Sequence, residues 1–174
     1  MSLLIKPPAD QQFSELYLLG ANRMLDSYPY NIAINQNYSL YVGVVNDLGS
    51  AAYYTVYVKL VNQTDLLPNA TSGTPSSLQP VYEYKFFLAN GESWENHLEF
   101  SVSKASAYAN LSIINRILIN GDVFNVNKYM IRDTNSTRFY FGLVCELWVY
   151  NSTINSVQFH NRYVNLGLNL REQT

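Results

Sequence analysis

The chain has 174 residues, 48% hydrophobic and only 14% charged, which allows one domain with a full core or at most two small sandwiches. A net charge of −2 and 11 basic residues that never run together remove the electrostatic basis for binding nucleic acid or an anionic membrane surface. The single Cys145 excludes an internal disulfide, and no apolar run approaches the roughly 18 residues a membrane helix needs.

In chain order, period-two alternation recurs and helical periodicity almost never does. Residues 13–19 read as the first strand. Next come residues 38–44, with Tyr38, Leu40, Val42 and Val44 on one face, and 52–60, with Ala52, Tyr54, Val56, Val58 and Leu60 on one face. The turn-rich link at 46–50 predicts that these two strands form a hairpin. Residues 62–79, rich in Ser, Thr and Pro, read as a loop. Strands at 81–88 and 94–102 follow, joined by the turn Asn90-Gly91, with Trp94, Leu98, Phe100 and Val102 facing inward. Residues 113–119, the turn Asn120-Gly121 and residues 123–126 read as another hairpin, with a short helix over 106–118 as the alternative. Residues 127–137 read as a second long loop, and the last pair of strands spans 138–150 and 157–170.

Eight or nine such strands with little helix specify an all-β fold, an antiparallel β-sandwich of immunoglobulin-like type, with a jelly roll as the alternative. A single sandwich over residues 4–174 is expected, the opening Met1, Ser2 and Leu3 reading as a cloning remnant.

Six Asn-X-Ser/Thr sequons occur, at Asn37, Asn62, Asn69, Asn110, Asn135 and Asn151. With 20 Asn and 24 Ser or Thr in the chain, random order gives about 2.8, so the count alone is a modest excess. Placement is the stronger point: each falls in a turn or at an element border, where a bulky solvated sugar can be carried. They predict an extracellular location, with the signal or anchor outside this sequence.

Chemistry-bearing patterns are sparse. Glu95, His97 and Glu99 alternate along one strand and project from one face, so two of them can converge on a metal ion. The plain alternative is the solvated face of an amphipathic strand. As a glycosidase pair Glu95 and Glu99 fit poorly, since about 13 Å of strand separates them. Cys145 shares its face with Phe139, Phe141, Leu143, Leu147 and Val149, which places it in the core as an inert thiol. His160 has no acid or thiol within four residues, and no nucleophile motif accompanies it. The opposite face of the Cys145 strand carries Tyr140, Val144, Glu146, Trp148 and Tyr150, and earlier strands present Tyr41, Tyr53 and Tyr57 outward. Such rings suit a protein interface or stacking on sugars; a covering loop would leave them merely half-buried.

The stretch Phe13-Ser14-Glu15-Leu16-Tyr17-Leu18-Leu19-Gly20, with Tyr28-Pro29 and Tyr41-Val42-Gly43-Val44-Val45-Asn46, resembles the ectodomain of an uncharacterised archaeal multi-pass membrane-protein family, a domain of unknown function. So does Phe141-Gly142-Leu143-Val144-Cys145-Glu146-Leu147-Trp148-Val149-Tyr150-Asn151, with Tyr163-Val164-Asn165-Leu166-Gly167-Leu168-Asn169. Ala21-Asn22-Arg23-Met24-Leu25-Asp26 departs from the Gly/Asp/Lys-rich turn common there. The resemblance implies a β-sandwich held outside the cell by membrane helices and supplies no catalytic residues. The expectation is a non-catalytic, glycosylated surface module, without cofactor, meeting an unknown protein or glycan. A carbohydrate-binding module using the Tyr140, Trp148, Tyr150 row is the alternative, and a metal-dependent enzyme on Glu95, His97 and Glu99 the second.

Overall fold

The computed structural model describes residues 12–133, 135 and 138–171. Met1, Ser2 and Leu3, read as a cloning remnant, lie outside the described residues. The strands are β1 (Phe13–Leu19), β2 (Asn31–Ile32), β3 (Tyr38–Asp47), β4 (Ala52–Asn62), β5 (Tyr82–Leu88), β6 (Ser93–Tyr108), β7 (Leu111–Ile119), β8 (Asp122–Ile131), β9 (Phe139–Asn151) and β10 (Ser156–Leu170). They form two five-stranded sheets, ordered β1-β3-β6-β7-β8 and β2-β10-β9-β4-β5. All ladders are antiparallel except the two-residue parallel pairing of β2 with β10. This is the immunoglobulin-like sandwich that the alternation predicts, with one short parallel edge added.

The inward residues of each strand build the core by simple alternation. Leu40, Val42 and Val44 of β3 and Leu98, Phe100 and Val102 of β6 face Tyr54, Val56, Val58 and Leu60 of β4 and Phe141, Leu143, Cys145 and Leu147 of β9. In β6 the alternation slips at two register shifts between Val102 and Ala105, where one strand must bend.

Three expectations are corrected. Residues 38–44 and 52–60 are not a hairpin: β3 and β4 belong to different sheets, and the 46–50 link crosses between them. The Asn90-Gly91 turn likewise carries the chain from β5 in one sheet to β6 in the other. Both corners are tied together by buried Asn46, whose side-chain amide donates to the carbonyls of Ser50, Leu88 and Ala89 at 2.9, 3.0 and 3.2 Å. Its backbone N–H donates to Glu92 O and its backbone carbonyl accepts from Gly91 N. Alternation states which face a residue takes but not which strand lies beside it. Thirdly, residues 127–131 of the expected 127–137 loop continue β8, because Met130 still reaches the core.

The 106–118 segment is strand, turn and strand rather than helix. Asn120 and Gly121, at φ +50° and +85°, make the hairpin turn between β7 and β8, the geometry that Asn-Gly favours.

Candidate functional site

Part of the outer face of the β9-β4 pair is covered, and that covering organises the rest. Residues 63–81, between β4 and β5, fold back over it. Beneath lie Thr55, Lys59 and Val61 of β4 and Val144 and Glu146 of β9, all buried, with Glu146 0% and Lys59 3% exposed. Lys59 Nζ is 2.8 Å from Glu146 Oε2 and donates to the backbone carbonyl of Ser76 at 2.7 Å. The Ser76 N–H donates to Glu146 Oε1 at 2.7 Å, and Trp148 Nε1–H donates to Oε2 at 3.0 Å. Two adjacent strands thus hold a desolvated ion pair that captures both backbone polar groups of one loop residue, Ser76. A buried pair is retained at a cost in desolvation, which additional hydrogen bonds of this kind offset. With both carboxylate oxygens of Glu146 accepting, from Ser76, Lys59 and Trp148, the cluster acts as a lock for the loop.

The covering also decides the fate of the predicted binding row. Tyr140 and Trp148 are half-buried and Tyr150 is 42% exposed, but Val144 and Glu146 between them lie under the loop, so the row is broken. Trp148 packs edge-on against Tyr57 at 5.4 Å and tilts against Phe159 at 5.9 Å. Tyr53 is exposed on the same sheet, whereas Tyr41 lies on the other sheet, against His97 and under the Arg23 guanidinium. Tyr140 alone opens onto a cleft of about 910 Å³, with Tyr30, Gln63, Arg138, Leu168 and Asn169 among its walls. Arg138 donates to the Tyr30 hydroxyl there at 2.6 Å.

Glu95, His97 and Glu99 share the outer face of β6 as predicted, without converging. Glu95 accepts from the Tyr17 hydroxyl at 3.1 Å and pairs with Arg23 at 3.6 Å. Burial, with the Glu95 carboxylate beside it, pushes the Tyr17 phenol up to about 12. Among the described residues no three His, Cys, Asp or Glu side chains are grouped as a metal would need. Cys145 lies in the core, where burial pushes its thiol up to about 12.

His160 has the partner that its sequence neighbourhood lacks. Its Nε2 is 3.0 Å from Ser14 Oγ, which shares a 2.7 Å hydrogen bond with the Tyr54 hydroxyl. A register shift in β10 between Phe159 and Arg162 turns the ring toward β1. Burial, then the nearby Arg162 charge, holds the imidazole below its usual range. Ser14 and Tyr54 are both buried, so the contact seals the β1 edge and offers no hydroxyl to a substrate.

The sequon asparagines sit at the surface. Asn37, Asn69, Asn110 and Asn135 are exposed; Asn62 and Asn151 are half-buried at the ends of β4 and β9. The sequence reading missed Lys59, Ser76 and Ser14. A signal for the first existed: Lys59 and Glu146 each interrupt a strand that is apolar on both faces, Val58-Lys59-Leu60-Val61 and Val144-Cys145-Glu146-Leu147, and charges so placed need each other. Ser76 and Ser14 carry no such signal.

Among solved structures, the chain is similar to the CARDB domain of a Pyrococcus furiosus protein in complex with di-metal ions, at 9% identity and a TM-score of 0.45, over 91% of this chain and 90% of that one. It is also similar to the complex of zinc 2-glycoprotein and prolactin-inducible protein from human seminal plasma, at 8% and 0.41, over 94% and 98%. A β-glucosidase from Listeria innocua in complex with glucose matches at 10% and 0.40, over 91% of this chain and 16% of that one. No curated protein matches the chain in sequence. A domain of unknown function, DUF1616, matches residues 7–114, more than half of the chain, taking in the Phe13–Leu19 and Tyr41-to-Asn46 stretches but not the closing ones. The chain therefore belongs to the DUF1616 family.

Proposed function

We propose that this domain is an extracytoplasmic, N-glycosylated structural or recognition module of an archaeal membrane-anchored surface protein, working by contact rather than by catalysis. The observation that carries this reading is the surface position of all six sequon asparagines, in turns or at strand ends and never in the core. A chain that collected sequons by chance from 20 Asn would place some inside strands, as it does with buried Asn46 and its other strand asparagines. The polar groups with most chemical reach, Lys59 with Glu146 and His160 with Ser14, are spent on internal locks. No described helix is long and apolar enough to cross a membrane, so an anchor would be supplied from elsewhere in the protein. Contact with a protein or glycan would fall at the Tyr30, Arg138 and Tyr140 cleft, at the open end of the covered sheet. The sugar-binding reading survives only there, because the longer aromatic row is interrupted.

The test is recovery of the protein from archaeal cells. Intact cells treated with a membrane-impermeant amine label should yield labelled domain carrying glycopeptides; an unlabelled, sugar-free domain ends the proposal.

A further inference from the structure

Six sequons are not six equal acceptors once the chain has folded. We infer that Asn69 is the principal glycan acceptor among the five described sequons of the folded domain, at Asn37, Asn62, Asn69, Asn110 and Asn151, an inference that rests on the glycosylation proposed above. Transfer makes a bond from the asparagine side-chain nitrogen to the anomeric carbon of a lipid-linked, phosphate-activated sugar. The carbon–oxygen bond to the phosphate breaks, the phosphate leaves with the bonding pair, and the nitrogen gives one proton to a base of the transferase. The nitrogen must therefore be free to turn toward the donor, and the hydroxyl two residues on must be accessible for recognition.

Only one described sequon meets both demands. Asn69, Ala70 and Thr71 are all exposed. The Asn69 side-chain oxygen accepts from the N–H groups of Thr71 and Ser72, both at 3.0 Å, which pins the amide with its nitrogen outward and free of hydrogen bonds. Reciprocal backbone bonds between Asn69 and Thr74 close the turn, and Gly73 at φ +69° lets it reverse. Pro68 and Ser76, buried on either side, anchor it to the sheet, Ser76 through the Lys59–Glu146 lock.

Elsewhere the fold has used what the transfer needs. The Asn62 amide nitrogen donates to Tyr129 O at 2.7 Å, and its Thr64 hydroxyl is bonded to Asn62 Oδ1. That of Asn151 donates to Gln158 Oε1 at 3.1 Å. Asn110 is exposed, but its Ser112 is buried in β7, and the Ser39 of Asn37 is half-buried within the β3 ladder. The sequon of Asn135 runs beyond the described residues.

To test this, the folded, unglycosylated 174-residue chain and its proteolytic peptides are each given an oligosaccharyltransferase and a lipid-linked donor, and occupancy is read by glycopeptide mass spectrometry. In the folded chain Asn69 should exceed Asn62 and Asn151 by about two- to tenfold, the factor set by one hydrogen bond that must first break. In the peptides that preference should vanish. Asn69→Gln should remove most of the sugar that the folded chain carries on the five described sequons. Equal occupancy of Asn62 and Asn69 in the folded chain overturns the inference and leaves the surface-module reading standing. Protein recovered from its native cells with no sugar on any of the six sites removes that reading itself.

Discussion

At the scale of single residues, the Lys59–Glu146 pair is the most consequential feature of the domain. Replacing Lys59 by Met leaves a carboxylate buried without its counter-charge, and about 3–5 kcal/mol of stability should be lost. The double change Lys59→Met with Glu146→Leu should recover most of that, since no charge is then stranded. Urea titrations followed by tryptophan fluorescence measure both, and a double variant as unstable as the single one would refute the account. His160 makes a prediction of a different kind. Its folded-state value lies below the ordinary 6.5, so the fold favours the neutral ring. Its contribution is therefore whole above the unfolded value and falls away as pH drops below it. The groups facing it are Ser14 and Tyr54, with the Arg162 charge nearby; none can stabilise an imidazolium as a carboxylate would. Urea midpoints taken from about pH 7 down to about 5, where an ordinary histidine charges, should fall in the parent chain and fall less in His160→Gln. An identical acid slope in both would show that the loss arises elsewhere.

At the scale of elements, β8 is an edge strand with Tyr129 and Ile131 exposed on its outer face, a surface on which strands of two molecules can pair. The end of β4 and the start of the segment after it block this. Asn62 donates to Tyr129 O and Gln63 to Ile131 O, each at 2.7 Å, while Lys128 of β8 pairs with Asp65. Asn62→Ala combined with Gln63→Ala frees both carbonyls and should raise self-association, read as a concentration-dependent increase in sedimentation coefficient. Unchanged sedimentation would mean that the edge is protected by other means. Element identity was largely legible beforehand. The β1 bounds, the β7–β8 hairpin with its Asn120-Gly121 turn and the β9–β10 pair all follow from local pattern and turn chemistry. What failed were statements about neighbours. The 46–50 and 90–91 links look like hairpin turns because turn residues mark reversal of the chain, and reversal within a sheet and passage between sheets use the same residues. The bonds of Asn46 to Leu88 and Ala89, more than 40 positions away, make the difference.

At the scale of the whole molecule, the sandwich buries its two inner faces against each other, and the second sheet has part of its outer face covered as well. That extra layer explains why the face with Tyr140, Trp148 and Tyr150, which alternation marks as outward, is not a continuous platform. It also gives the 63–81 segment a definite shape, so that a stretch rich in Ser, Thr and Pro presents its one sequon, at Asn69, rigidly.

By itself the sequence determined the all-β class, the inward and outward sets of most strands, the core position of Cys145 and the surface position of the sequons. Each of these is local: alternation, turn chemistry and the cost of burying polar groups act within a few residues. Tertiary structure alone decided which strands are neighbours, that Lys59 meets Glu146 over Ser76, that His160 meets Ser14 across 146 positions, and which sequon keeps a free nitrogen. Those depend on contacts between segments distant in the chain, whose partners are chosen by how the two sheets close on each other and leave no trace in local spacing.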